Sequence, residues 1–150
     1  MKKRLTNALE ALQFAKERAE GRLIMADKNR FERGVQRMKE LFGDTYSPPS
    51  LGDELMDISF GHLFGDIWTR PGLELRERSM ITCTALVVMG KELQLKTHLR
   101  GALNAGISRQ VIEEMMIHLA HYSGWPTAVN GLRVAREIFE EMDAQTGIGE

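Results

Sequence analysis

Residues Glu74 to Met89 read ELRERSMITCTALVVM, and this stretch decides the fold class. Its first turns are charged, whereas the remainder is apolar on nearly every side of a helix. The continuous apolar run, Ala85 to Met89, is far too short to span a bilayer. No stretch of the chain shows the sustained period-two alternation of a half-buried strand. We therefore predict a helix whose second half is buried all round.

Amphipathic patterns with three- and four-residue spacing lie on both sides of this segment. They predict helices at Leu5 to about Asp27, Phe31 to Gly43, Ser50 toward Gly65, Lys91 to Gly106, Ser108 to about Tyr122, and from Pro126 onward. Gly43, Gly90 and Gly106 are predicted to end helices, and Gly61 and Gly65 to loosen the end of the third. In that third helix one face is expected to be apolar, formed by Leu51, Leu55, Ile58 and Leu63. The fold class predicted is all-α, a single-domain bundle of about seven helices.

Composition narrows the function classes. A chain of 150 residues suits one domain, and 20 basic against 21 acidic residues give no field that attracts nucleic acid or an anionic membrane. The single cysteine, Cys83, excludes an internal disulfide, and we interpret it as a packing residue. The charged start of the chain is unlike a secretory signal, so a cytoplasmic location is expected. The apolar helix at 74–89 is hard to cover in so small a monomer, which predicts subunit contacts.

Charged and aromatic residues gather in the short loop from Gly65 to Gly72. Asp66, Trp68 and Arg70 could contact a ligand there, because loops present polar groups that a packed core cannot accommodate. Alternatively, Trp68 only plugs a helix junction. Arg70 and Arg78 could together hold a dicarboxylate through their guanidinium forks.

Two histidine positions are candidates for chemistry. His98 lies beside an apolar helix stripe, where a titratable ring can reach a pocket, or it is simply a surface or junction histidine. His118, His121 and Tyr122 share one side of a helix with Glu114, so a metal-ligating face is geometrically possible. Partial core burial is the simpler interpretation of His118, and no metal is expected.

Four stretches occur in order along the chain. They read FERGVQRMKELFGD at Phe31 to Asp44, FGDIWTRPGLELRERSMIT at Phe64 to Thr82, HLRGALNAGIS at His98 to Ser108, and GLRVAREIF at Gly131 to Phe139, with the turn from Tyr122 to Ala128 before the last. Together they resemble the carboxymuconolactone decarboxylase family. The combination is specific, because the Trp-Thr-Arg-Pro-Gly loop and the His-x-x-Gly-Ala-x-Asn helix occur together at the right separation.

The resemblance implies an all-α fold shared with the alkylhydroperoxidase D group, assembled as rings of three or six subunits. It assigns residues 30–150 to the family's domain and leaves 1–29 as an extension helix. Peroxidase relatives carry CxxC shortly before the histidine that corresponds to His98. Here Lys91 to Gln94 contains no thiol, so peroxidase activity is disfavoured.

The activity implied is the decarboxylation of 4-carboxymuconolactone to an enol-lactone of 3-oxoadipate, in protocatechuate breakdown, without a cofactor. On this resemblance His98 delivers a proton or stabilises the oxyanion, and Arg78 and Arg70 hold the carboxylates. The remaining substrate contacts are expected from Trp68, His121, Tyr122 and Trp125.

Departures from the family's pattern leave two alternatives open. Ala105 stands where a second Asn is expected, and Trp125 replaces a small apolar residue and would reshape a nearby pocket. A related enzyme acting on a different lactone or β-keto acid is therefore one alternative. A non-catalytic oligomeric binding protein is the other.

Overall fold

The computed structural model describes residues 28–46 and 53–146, and every regular element in these ranges is a helix. The helices are α1 (28–42), α2 (Asp53–Ile58, continued by a π-helix at Ser59–Ile67), α3 (Leu75–Val88), α4 (Glu92–Asn104), α5 (Arg109–Ser123) and α6 (Trp125–Thr146). This confirms the all-α prediction and, with six helices described, a count close to seven. The helix predicted at Leu5 to Asp27 and the first residues of the helix predicted from Ser50 lie outside the described residues.

Helix boundaries follow the local signals that the sequence contains. Gly43, Gly90 and Gly106 have positive φ and follow helix ends, as predicted. Ser108 caps α5, where its hydroxyl oxygen accepts the backbone N–H of Val111 at 3.3 Å. At the start of α3, the side chain of Glu77 accepts the backbone N–H of Glu74 at 2.7 Å, which completes a capping box.

The described residues form two compact units. The first comprises 28–37 and 53–69, and the second comprises 38–46 and 70–146. No helix within the described ranges is both long and apolar enough to cross a bilayer.

In the first unit, Gly61 and Gly65 do not loosen a helix end, contrary to the prediction. The helix continues as a π-helix to Ile67. Gly65 is buried against α1. A Cβ at this position would lie 2.2 Å from the backbone oxygen of Arg30. This glycine therefore permits two backbones to touch rather than ending a helix.

Three of the apolar residues predicted for one face of this helix are exposed in the single chain. Leu55 and Ile58 are each 52% exposed, and Leu63 is 41% exposed. Their spacing is helical, but the described residues do not cover them.

In the second unit, α3 to α6 pack together around a common core. Cys83, Leu99, Met116 and Ile138 lie at its centre. The second half of α3, predicted to be buried all round with the help of subunit contacts, is not fully covered in the single chain, where Ile81 is 56% exposed. Only one face of this helix meets the core, and the other carries apolar side chains into solvent.

Candidate functional site

His98 lies in the middle of α4 and is partly buried, with its Nδ1 sealed from solvent. The rings of Phe42 and His98 meet edge to face, at a centroid distance of 5.3 Å and an interplanar angle of 80°. Burial lowers the pKa of His98 to about 4, because the charged imidazolium loses hydration there. The ring is therefore neutral at pH 7 and can donate or accept one hydrogen bond at each nitrogen.

Phe42 reaches this position because the end of α1 is fixed against α4. The side-chain amide of Asn104 donates to the backbone oxygen of Leu41 at 3.1 Å. A Cβ on Gly101 would lie 2.9 Å from Cγ of Leu41, so the glycine permits the close approach. The sequence predicts a helix that contains Phe42 and gives no signal that this ring contacts the histidine.

Arg78 lies in the first turn of α3 and is partly buried. Its Nη2 donates to the backbone oxygen of Arg70 at 2.6 Å. Its Nε is buried and has no hydrogen-bond partner within 28–46 and 53–146. A buried guanidinium N–H without an acceptor is costly, so this atom is a candidate donor for an anionic ligand.

The other residues of the predicted loop site are described one by one. The side chain of Arg70 is exposed. In the first unit, Trp68 is only 7% exposed and stacks on Phe64, four residues earlier, at 5.5 Å.

Asp66 is also engaged within the first unit. Its carboxylate pairs with Arg30 at 2.6 Å, with Arg33 at 3.2 Å and with His62 at 3.6 Å. The hydrogen bond from Arg30 is the main cause of the lowered pKa of this carboxyl group. The sequence suggested a ligand contact at Asp66, whereas the structure uses it as an internal partner for three basic side chains.

His121, Tyr122 and Trp125 lie at the junction of α5 and α6 and are exposed. His121 and Trp125 meet edge to face at 6.4 Å, and Tyr122 lies 4.8 Å from the ring of His118. Tyr122 is 79% and Trp125 68% exposed, so in the single chain they form a surface group. Across the described ranges, no three His, Cys, Asp or Glu side chains are grouped to hold a metal ion.

Two further side chains in the second unit have structural roles. Cys83 is 1% exposed, and burial raises the pKa of its thiol to about 12, so it is a packing residue as predicted. Arg100 on α4 pairs with Glu141 on α6.

A groove between α3 and α5 has a volume of about 340 Å³. Its lining residues are Met80, Ile81, Thr84, Met115, His118 and Leu119. This lining is largely apolar and contains none of the predicted catalytic or substrate-binding residues.

The family model that matches the chain is that of the carboxymuconolactone decarboxylase family, over residues 53–137. The match covers more than half of the chain and contains both Arg78 and His98. The chain belongs to the carboxymuconolactone decarboxylase family. This confirms the resemblance on which the sequence-based site rests.

Among relatives of this family member, a 4-carboxymuconolactone decarboxylase from Acinetobacter baylyi is 27% identical over 124 residues, covering 79% of this chain and 92% of the relative. A nitrosuccinic acid decarboxylase from Metarhizium robertsii is 29% identical over 121 residues, covering 75% of this chain and 82% of the relative. An uncharacterised 15.0 kDa protein of Paracoccus denitrificans is 28% identical over 99 residues, covering 65% of this chain and 71% of the relative. The two characterised relatives are both decarboxylases, and they are named for different acids.

Proposed function

We propose that this protein is a cofactor-independent decarboxylase of a small dicarboxylic acid that carries its own electron-withdrawing group. The observation that supports this most is the partly buried arginine with an unsatisfied N–H, Arg78, and the same unit also contains a neutral imidazole, His98. Both lie within the stretch matched by the family model.

The first candidate substrate is 4-carboxymuconolactone, as in protocatechuate breakdown. The bond between the ring carbon and the carboxylate breaks, and carbon dioxide leaves. The electron pair moves through the conjugated system onto the carbonyl oxygen of the lactone. The resulting dienolate then takes one proton on carbon, which balances the reaction. Because the lactone accepts the electron pair, no cofactor is required as an electron sink.

The second candidate substrate is nitrosuccinic acid, which the similarity to the Metarhizium relative favours. Loss of the carboxylate beside the nitro group leaves an electron pair that the nitro group accepts as a nitronate. Both candidates have two carboxylates and a neutral electron acceptor. The site therefore has to hold one carboxylate and stabilise the oxygen on which negative charge develops.

In this proposal Arg78 binds the carboxylate that is retained, through its buried Nε–H. His98 donates a hydrogen bond to the developing oxyanion as a neutral imidazole. A group with a pKa of about 4 is almost fully deprotonated at pH 7, so a standing imidazolium is not the proton donor in the free enzyme. The proton on carbon therefore comes from solvent, either directly or relayed by this ring.

Steady-state kinetics on both acids test these roles. Removing a catalytic hydrogen-bond or proton-transfer group costs about a hundredfold or more in rate, so His98→Gln should lower kcat by that amount. His118→Gln, which removes an exposed histidine on α5, is the matched control. Full turnover by His98→Gln on an acid that the wild type accepts would remove this residue from the mechanism.

We also propose that the chain forms a homo-oligomer, as a trimer or a hexamer. Support comes from large apolar side chains that the single chain leaves in solvent: Ile81, Val88, Met89 and Leu93 are each more than half exposed. Large apolar side chains that are exposed in a single chain are often covered at protein interfaces. Sedimentation equilibrium measures the mass directly, and a strictly monomeric protein would contradict this part of the proposal.

A further inference from the structure

We infer that the loop Arg70–Gly72 holds Arg78 in place through its backbone, and that Arg70 contributes its carbonyl oxygen rather than its guanidinium. We call this loop the carbonyl anchor. The inference rests on the proposed function and makes Arg70 a positioning residue, whereas the sequence suggested that its side chain binds substrate.

The central contact is the hydrogen bond from Nη2 of Arg78 to the backbone oxygen of Arg70, at 2.6 Å. A charged donor makes this bond shorter and stronger than one between neutral groups. The side chain of Arg70 is exposed, with no hydrogen bond or ion pair to the rest of the described chain. The two arginines therefore meet through a backbone atom and not as two parallel guanidinium groups.

This contact fixes the direction of the remaining donors of Arg78. A guanidinium is planar and rigid, so holding Nη2 also sets where the Nε–H points. That Nε is buried without an acceptor in the described ranges. One end of the group is thus satisfied by the protein, and the other end is left for a carboxylate oxygen. A lysine side chain has a single nitrogen and therefore could not bind the backbone oxygen and a carboxylate with two donors held in one rigid plane.

The backbone of the carbonyl anchor has an unusual conformation. Pro71 has a restricted φ, and Gly72 adopts a φ of +102°, which residues with a Cβ rarely adopt. A Cβ at Gly72 would meet no atom within 4 Å, so an alanine there changes only the backbone preference. Two residues later, Glu74 caps α3, the helix that carries Arg78. The position of the carbonyl therefore depends on Gly72.

The test compares three variants of the full-length protein. Arg70→Gln keeps the carbonyl, Gly72→Ala disturbs it, and Arg78→Lys removes the Nε–H. Gly106→Ala is the matched control, because Gly106 also has a positive φ of +81° and open space around its Cβ position. The readouts are KM and kcat for the accepted acid, and the ¹H–¹⁵N resonance of the Arg78 Nε–H, assigned by its loss in Arg78→Lys.

We expect Arg78→Lys to raise KM by about tenfold or more, as for a lost charge-assisted hydrogen bond. Gly72→Ala should raise KM severalfold, change kcat less, and shift the Nε–H resonance. The increase in KM for Arg70→Gln should be only a small fraction of the increase for Gly72→Ala. The Arg78 Nε–H resonance should stay in place in Arg70→Gln. Gly106→Ala should lower thermal stability without moving the resonance.

Two results would overturn the inference. One is an increase in KM for Arg70→Gln that matches that of Arg78→Lys, because the guanidinium of Arg70 would then bind substrate. The other is an unchanged Nε–H resonance in Gly72→Ala. The resonance needs no turnover: if the wild type decarboxylates neither acid, the proposed function fails, and the resonance alone still decides whether the carbonyl anchor positions Arg78.

Discussion

Acidification should destabilise this protein through His98. Burial lowers the pKa of His98 from 6.5 to about 4, whereas the unfolded chain has an ordinary imidazole. As the pH falls through 6.5 the unfolded state therefore binds a proton that the folded state does not. The stabilising contribution is complete above pH 6.5 and is lost progressively between pH 6.5 and 4. The difference in the pKa of His98 between the folded and unfolded states corresponds to about 3 kcal/mol of unfolding free energy. About 2 kcal/mol of this should be lost between pH 8 and pH 5.

Urea unfolding at pH 8, 6.5 and 5 measures this contribution. The wild type should lose about 2 kcal/mol more unfolding free energy over this range than His98→Gln, which cannot titrate. His118→Gln removes an exposed imidazole and should follow the wild type. Equal losses in the wild type and His98→Gln would refute the reasoning, as would an NMR titration that gives His98 an ordinary pKa.

Three further predictions follow from the packing. Gly65→Ala should destabilise the protein by about 3 kcal/mol because its Cβ would lie 2.2 Å from a backbone oxygen of α1, whereas Gly61→Ala, with no atom within 4 Å, should be neutral or slightly stabilising in the same urea titration. Cys83, with a thiol pKa raised to about 12 by burial, should resist a thiol reagent at pH 8 in the folded protein and react after unfolding; fast labelling of the native state would contradict this. Phe42→Ala should expose the adjoining imidazole to water and raise the pKa of His98 toward 6.5, measurable by NMR, whereas an unchanged value would show that other groups cause the burial.

Much of the fold could be predicted because its signals are local. A glycine after the last periodic residue indicates a helix end, and Gly90 and Gly106 mark two of them. Ser108 indicates a helix start in the same way. Position 65 is also a glycine, but for a different reason: it lies in close contact with another backbone segment. Composition and spacing alone do not separate these two uses of glycine, so the extent of the π-helix was missed.

Burial was harder to predict than helicity. The pattern of α3 indicates an apolar helix but not which molecule covers it, and in the single chain Ile81 and Val88 remain in solvent. Residue periodicity reports that a face is apolar, whereas burial depends on every other element that packs against it, including other subunits.

For the site, the sequence identified the residue types but not their partners. The residue pattern makes His98 and Arg78 candidates, the resemblance implies their roles, and those roles stay a prediction. The contact between Phe42 and His98 joins two helices distant in sequence, and the contact of Arg78 runs to a backbone oxygen that no side-chain pattern reveals. Ring contacts between residues distant in sequence and hydrogen bonds to backbone oxygens cannot be predicted from the residue pattern of a single sequence.

Carboxyl-labelled substrate tests the central claim most directly. Purified protein, dialysed against a chelator, is incubated with ¹³C-carboxyl 4-carboxymuconolactone or nitrosuccinic acid, and labelled carbon dioxide and bicarbonate are followed by NMR. The account predicts one equivalent of labelled product for each equivalent of at least one acid consumed, with no added cofactor. Release of label at the enzyme-free rate from both acids would contradict it.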